Sequence, residues 1–309
     1  MLPVGSTSLN FRLLCACNCA YDIAPGGCGY TPDHDYNPVV GYTSAPIAVC
    51  GDLAASNACL VGENADGIIV AFRGTLPIST QDPAGLLDWL EDFFEVPKAA
   101  PNVPGHVHSG FYDATMSVIS GVAAAVNKLN PGMTKKVYVT GHSLGGAMAS
   151  IGAYILSQSN HIPIEQVVSL ASPKPGDPAF QAAYQTVITN QLRFENYEDI
   201  VPLLPPEPSF IKTVVAIVEL IPRIGQELAN LFKEAEDWDY VPVGQQQFIE
   251  SDKHTIISNE PLSSQTWDVV KEIGEDILRL NFSSFLNAHT ISKGFGYYSA
   301  LAPSAAATA

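Results

Sequence analysis

The chain's most reactive-looking stretch is Gly141-His142-Ser143-Leu144-Gly145, a serine framed by two glycines at G-x-S-x-G spacing. A serine hydroxyl becomes a nucleophile when a base within hydrogen-bond reach takes its proton. A neutral imidazole suits that task near neutral pH. Seven histidines compete for the role. His142 adjoins the serine, so its ring is expected to point away from the hydroxyl and pack beside the turn. His108 is expected to order a loop, and His34, His106, His161 and His254 fall in polar, turn-like contexts. His289 comes late in the chain, after a group of carboxylates, Glu195, Glu198 and Asp199, any of which could orient a base. Together these residue types point to nucleophilic acyl transfer.

The elements around Ser143 fit that chemistry. The apolar run 136–140 predicts a buried strand and the small residues of 144–157 a helix, so the serine falls on a sharp strand-to-helix turn. Such a turn needs neighbours without Cβ atoms, which Gly141 and Gly145 supply. The helix after it directs N-terminal amides at a developing oxyanion. Elsewhere the pattern predicts a first helix over 6–22, capped by Ser6 or Ser8, and a hairpin of runs 57–62 and 67–73 around a polar turn. Helices are predicted at 86–95, 111–128, 178–184 and 263–280, and strands at 166–170 and 191–197. Alternation of this kind predicts an α/β fold with a mostly parallel central sheet flanked by helices.

Composition narrows the function classes. The 309 residues carry 15 Lys plus Arg against 31 Asp plus Glu, a formal net charge of −16. An acidic excess of this size repels phosphate backbones, so no nucleic-acid role is expected. The hydrophobic content of 47% supplies a sizeable core. No transmembrane segment is predicted, since the most apolar run, 210–221, is short and interrupted by Lys212 and Glu219. No signal peptide is read in the first twenty residues, where Arg12 interrupts the apolar stretch.

Six cysteines, Cys15, Cys17, Cys19, Cys28, Cys50 and Cys59, fall in the first fifth of the chain. Buried free thiols, or disulfides such as Cys50 with Cys59 or Cys28 with one of the first three, are the readings that fit. The C-x-C-x-C run lacks the spacing that wraps a zinc ion, so no metal is expected. The Asp33-His34-Asp35 cluster reads as a solvated turn.

Several segments in order resemble the class 3 lipases, the fungal triacylglycerol-lipase type of α/β hydrolase. Gly141 to Gly146 resembles their serine elbow, and 68–75 the strand leading into their oxyanion loop. Asp88-Trp89-Leu90-Glu91-Asp92, Val107-His108-Ser109-Gly110-Phe111 and 172–180 resemble further family blocks. Asp199-Ile200-Val201-Pro202 resembles the acid motif and His289-Thr290-Ile291 the histidine segment. The resemblance spans roughly residues 60 to 300. It implies a triad of Ser143, Asp199 and His289 in the chain order of that fold. It also implies an oxyanion hole from the backbone N–H groups of Thr75 and Leu144, with the Thr75 hydroxyl as a third donor. Arg73 is read as structural, paired to a local carboxylate, and Glu195 and Glu198 as solvated surface charge.

The implied activity is that of a serine carboxylester hydrolase, a triacylglycerol lipase acting through an acyl-enzyme without a cofactor. Phospholipase A1, a soluble or feruloyl esterase, or a catalytically silent lipase-like binding protein are the alternatives. The expected partner is an ester lipid, met at a lipid–water interface. The resemblance favours a secreted mature form. One catalytic domain is expected over 1–301, with a flexible tail at 302–309. Within it, 207–237 reads as a helical insertion hinged at Pro222, either a lid or cap or a fixed wall of the acyl pocket. Lid behaviour at 76–87 is a further possibility, and Phe93 and Phe94 are expected to line either that lid or the core.

Overall fold

The computed structural model describes residues 7–52, 54–76, 93–205, 211, 215, 219, 225–259 and 282–303. The predicted helix 263–280, all but the first residue of the lid candidate 76–87, most of the predicted helix 86–95 and the tail beyond 303 lie outside these residues. Residues 93–95 form a turn and an irregular stretch rather than the end of a helix.

Helix α1 (Leu9–Tyr21) starts where Ser8 accepts the Phe11 N–H at 3.2 Å, one of the four amides a helix start leaves unpaired. A short helix, α2 (Asn37–Val40), interrupts the following loop. Strands β1 (Ile47–Cys50), β2 (Ala58–Glu63) and β3 (Ile68–Phe72) pair antiparallel in turn. The turn between β2 and β3 is an Asx turn, in which Asn64 Oδ1 accepts the N–H groups of Asp66 at 2.9 Å and Gly67 at 3.3 Å. A two-stranded ribbon, β4 (Pro97–Ala99) with β5 (His106–His108), precedes helix α3 (Ser109–Leu129).

The alternating segment then runs β6 (Val137–His142), α4 (Leu144–Gln158), β7 (Gln166–Leu170), α5 (Pro178–Val187) and β8 (Gln191–Asn196). Helix α6 (Gly225–Glu234), strands β9 (Gln245–Ile249) and β10 (Ile256–Ser258), and helices α7 (Phe282–His289) and α8 (Gly296–Leu301) complete the described elements. The main sheet has eight strands in the order β1-β2-β3-β6-β7-β8-β9-β10. The pairs from β3 to β9 are parallel, and antiparallel pairs close both edges. This is the mostly parallel α/β sheet flanked by helices that the alternation predicted.

Two buried clusters sandwich the sheet. Val70, Phe72, Val137 and Val139 pack with α3 and α4 on one face. Ile69, Ala71, Tyr138 and Val168 pack with α1 and α8 on the other. Central strands covered on both sides read as continuous apolar runs, as β3 does over its whole length. Phe93 and Phe94 belong to the first cluster, so both are core residues.

Cys28 is disulfide-bonded to Cys50, tying the loop after α1 to β1. Neither expected pairing forms: Cys59 is buried on β2, and the first three cysteines are buried along α1. Burial pushes the Cys17 and Cys19 thiols up to about 12, out of the reactive range.

Candidate active site

The site is assembled at the carboxyl ends of the parallel strands, where α/β sheets place their ligands. Strand β6 ends at His142 and α4 begins at Leu144, so Ser143 alone makes the turn. Its backbone sits at φ 59° and ψ −132°, a conformation that costs about 1–3 kcal/mol for a residue with a Cβ. Neighbouring contacts enforce it. The Ser143 N–H donates to the Leu170 carbonyl at 3.0 Å, and the Gly146 N–H returns to the Ser143 carbonyl at 2.8 Å.

The flanking glycines are required by space. A Cβ on Gly141 would lie 1.9 Å from the Gly145 carbonyl oxygen, and one on Gly145 would lie 2.3 Å from the Phe72 carbonyl oxygen. Helix α4 therefore starts pressed against the end of β3. Gly74 also abuts the turn: its Cβ would stand 2.5 Å from the His142 carbonyl oxygen and 3.1 Å from Ser143 Cβ. Thr75 follows immediately and is half-buried, as is Leu144. The chain thus leaves β3 beside the serine.

Asp199 and His289 meet from opposite ends of the polar network. His289, at the last residue of α7, places Nδ1 3.0 and 3.1 Å from the two carboxylate oxygens of Asp199. Both residues are buried. A carboxylate can only accept here, so Nδ1 carries the proton of the neutral ring and the lone pair lies on Nε2, as a base requires. Asp199 receives two further donors, the Val201 N–H at 3.0 Å and the Tyr297 hydroxyl at 2.7 Å. The 3-10 turn Val201–Leu203, entered through Pro202, seats it.

His142 is buried beside the turn and bridges to the histidine segment. Its Nε2 donates to the His289 carbonyl at 2.7 Å, and the two rings stand 4.7 Å apart between centroids. Burial, and then the charge of His289, push its pKa down to about 3. His108 caps α3 by accepting the Phe111 N–H at 3.3 Å and stacks on the Phe111 ring, and burial pushes it down to about 4. His106 pairs with Asp177, outside the buried network.

Two expectations are overturned. Among the described residues Arg73 meets no carboxylate: its guanidinium donates to the backbone carbonyls of Ile23, Ala55 and Ser56, stitching the chain just after α1 and the loop before β2 to the end of β3. Glu195 is not solvated. It is buried on β8, paired with Arg193 and receiving the Gln246 amide. That occupation removes it from reach of a histidine. Among the described residues, no group of three or more His, Cys, Asp or Glu is placed to hold a metal ion. Asp33 instead folds its own turn, accepting the N–H groups of Asp35 and Tyr36.

Tyr297 and Tyr21 are the site residues that the sequence reading missed. Each is a tyrosine in an otherwise apolar element, indistinguishable by pattern from a core aromatic.

Residues 69–209 match the family model for class 3 lipases. A lipase from Rhizomucor miehei is 34% identical over 150 residues, 47% of this chain and 39% of that protein. A secreted mono- and diacylglycerol lipase from Fusarium solani is 30% identical over 201 residues, 62% of this chain and 56% of that protein. The chain therefore spans less than two thirds of the curated relatives it matches. The solved propeptide complex of Rhizomucor miehei lipase superposes with a TM-score of 0.57 at 24% identity, covering 81% of this chain and 69% of its own. At that identity the likeness is one of fold. Among the described residues no helix is long and apolar enough to cross a membrane.

Proposed function

We propose that the chain is a lipase of the class 3 type, as the match of residues 69–209 to that family model supports, and that it is a serine carboxylester hydrolase acting on acylglycerols. In this reading Ser143 Oγ attacks the ester carbonyl while His289 Nε2 takes its proton. The N–H groups of Leu144 and Thr75, with the Thr75 hydroxyl, hold the oxyanion. His289 then gives the proton to the departing alcohol, and water, deprotonated by the same imidazole, releases the acid from the acyl-enzyme. Asp199 keeps Nδ1 protonated and stabilises the imidazolium.

The observation that carries the reading is the buried Asp199–His289 pair held against the residue next to Ser143. No cofactor is called for by this chemistry. The buried placement of Ile211, Ala229 and Ala235 in the same cluster as Val201 and Leu204 supports 207–237 as a wall of the acyl pocket. The Cys28–Cys50 disulfide, together with a secreted relative, supports an oxidising, extracellular setting.

Initial rates on tributyrin across its solubility limit, beside phosphatidylcholine vesicles and a soluble p-nitrophenyl ester, test the proposal. Hydrolysis of tributyrin that rises at the limit supports an acylglycerol lipase meeting its substrate at an interface. Hydrolysis confined to the vesicles or to the soluble ester contradicts the acylglycerol assignment.

A further inference from the structure

Tyr21 ends α1, more than a hundred residues from the serine, yet its hydroxyl stands where three segments of the site converge. It lies 2.7 Å from His142 Nδ1. Its oxygen also accepts the N–H of Gly74, one residue before Thr75. Beyond it, His142 Nε2 reaches the His289 carbonyl at 2.7 Å. The proton positions follow from chemistry. A carbonyl oxygen has nothing to donate, so Nε2 carries the imidazole proton and Nδ1 must accept. Tyr21 therefore donates to Nδ1 and keeps its lone pairs for Gly74.

We propose that Tyr21 and His142 form a positioning relay that sets both the oxyanion loop and the backbone of His289 relative to Ser143. The inference rests on the hydrolase reading and adds a role that neither triad nor oxyanion hole contains. His142 is covalently joined to Ser143, so its ring makes a rigid strut from the nucleophile's backbone to that of the base. Tyr21 fixes the rotation of that strut and clamps the loop through Gly74. Crowding makes the clamp tight: a Cβ on Gly74 would lie 2.4 Å from the Tyr21 hydroxyl. A second contact from the same helix, the Asn18 amide on the Ile291 carbonyl at 3.1 Å, holds the segment just after His289. Helix α1 is thus a frame for the base as well as a cover for the sheet. Burial keeps the His142 ring neutral, so the relay holds one hydrogen-bonding state across the working pH range.

The test compares kcat, KM and the phosphonylation rate of a fluorophosphonate in the parent, Tyr21→Phe, His142→Gln and His142→Leu. Melting curves set an assay temperature at which all are folded. Tyr21→Phe should lower kcat and the phosphonylation rate about tenfold with KM within about twofold, the pattern of a lost transition-state alignment. His142→Gln, whose amide NH2 can replace the Nε2 donor, should stay within about threefold of the parent, whereas His142→Leu should lose about thirtyfold. Equal kcat for the Gln and Leu variants, or an undiminished Tyr21→Phe, would overturn the relay while leaving the hydrolase reading intact. A parent that neither cleaves esters nor takes up the phosphonate overturns that reading, and the relay with it.

Discussion

The Tyr297 hydroxyl donates to Asp199 Oδ2 at 2.7 Å while its own oxygen receives the Asn196 N–H at 2.9 Å. One side chain thus ties the acid to the end of the strand that carries it. Removing the oxygen leaves a buried amide without its acceptor and the carboxylate short of a donor. Tyr297→Phe should cost about 1–3 kcal/mol in a urea titration. It should also lower kcat about three- to tenfold, through looser seating of Asp199. Parent-like values of both quantities would contradict this account of the acid.

Two buried histidines make stability depend on pH. His142 is held at about 3 and His108 at about 4, in each case chiefly by burial. In the unfolded chain each binds a proton near pH 6.5. Between about pH 4 and 6.5 the unfolded state therefore carries more protons than the folded one, and the free energy of unfolding falls as pH falls. Their contribution is complete above about pH 6.5 and declines below it by about 1.4 kcal/mol per pH unit for each histidine. Urea titrations at pH 7 and pH 5 should show the loss. His108→Asn, which retains a capping acceptor, should halve the slope; a slope unchanged by this substitution would show that other groups carry it.

Thiol chemistry checks the amino-terminal third. Cys15, Cys17, Cys19 and Cys59 are buried and free, and Cys28 is bonded to Cys50. The folded protein should give no reaction with Ellman's reagent, and the unreduced protein in guanidinium should give four thiols. A fast-reacting native thiol would contradict the packing of α1. Cys28→Ser with Cys50→Ser should lower stability by about 3 kcal/mol, the loop-closure entropy of a crosslink spanning 22 positions.

Gly145→Ala tests the elbow itself. Its Cβ would meet the Phe72 carbonyl oxygen at 2.3 Å, a backbone atom that cannot rotate away. The variant should either fail to fold or melt far below the parent, with kcat down at least about a hundredfold where it folds. Parent-like activity would mean that α4 does not abut β3.

The elements most legible in the sequence are those whose signals are local. The apolar run of β6, the glycines around Ser143 and the small residues of α4 are contiguous, and the turn follows from them. Strand β9 was missed because its three leading residues are glutamines. It forms because β8 offers a parallel edge and because Gln246 finds Glu195 inside. Arg73 and Glu195 carry charges that usually seek water. Arg73 meets carbonyls 17 to 50 positions away, and Glu195, beside Arg193, also takes the Gln246 amide 51 positions on, which no local pattern announces. Asp199 and His289 were legible only through family resemblance, since 90 positions separate them. Tyr21 and Tyr297 gave no signal, because their polar tips matter only once the sheet has brought distant segments together.

The central claim is that Ser143 is an activated nucleophile. Intact-mass analysis of the protein after incubation with a fluorophosphonate probe at pH 7.5, for the parent and for Ser143→Ala, tests it most directly. One phosphonyl adduct on the parent, mapped to Ser143, is expected, with none on the variant and ester hydrolysis lost by at least about a thousandfold. An adduct mapped to another residue, or a Ser143→Ala protein that cleaves esters at the parent's rate, would contradict it.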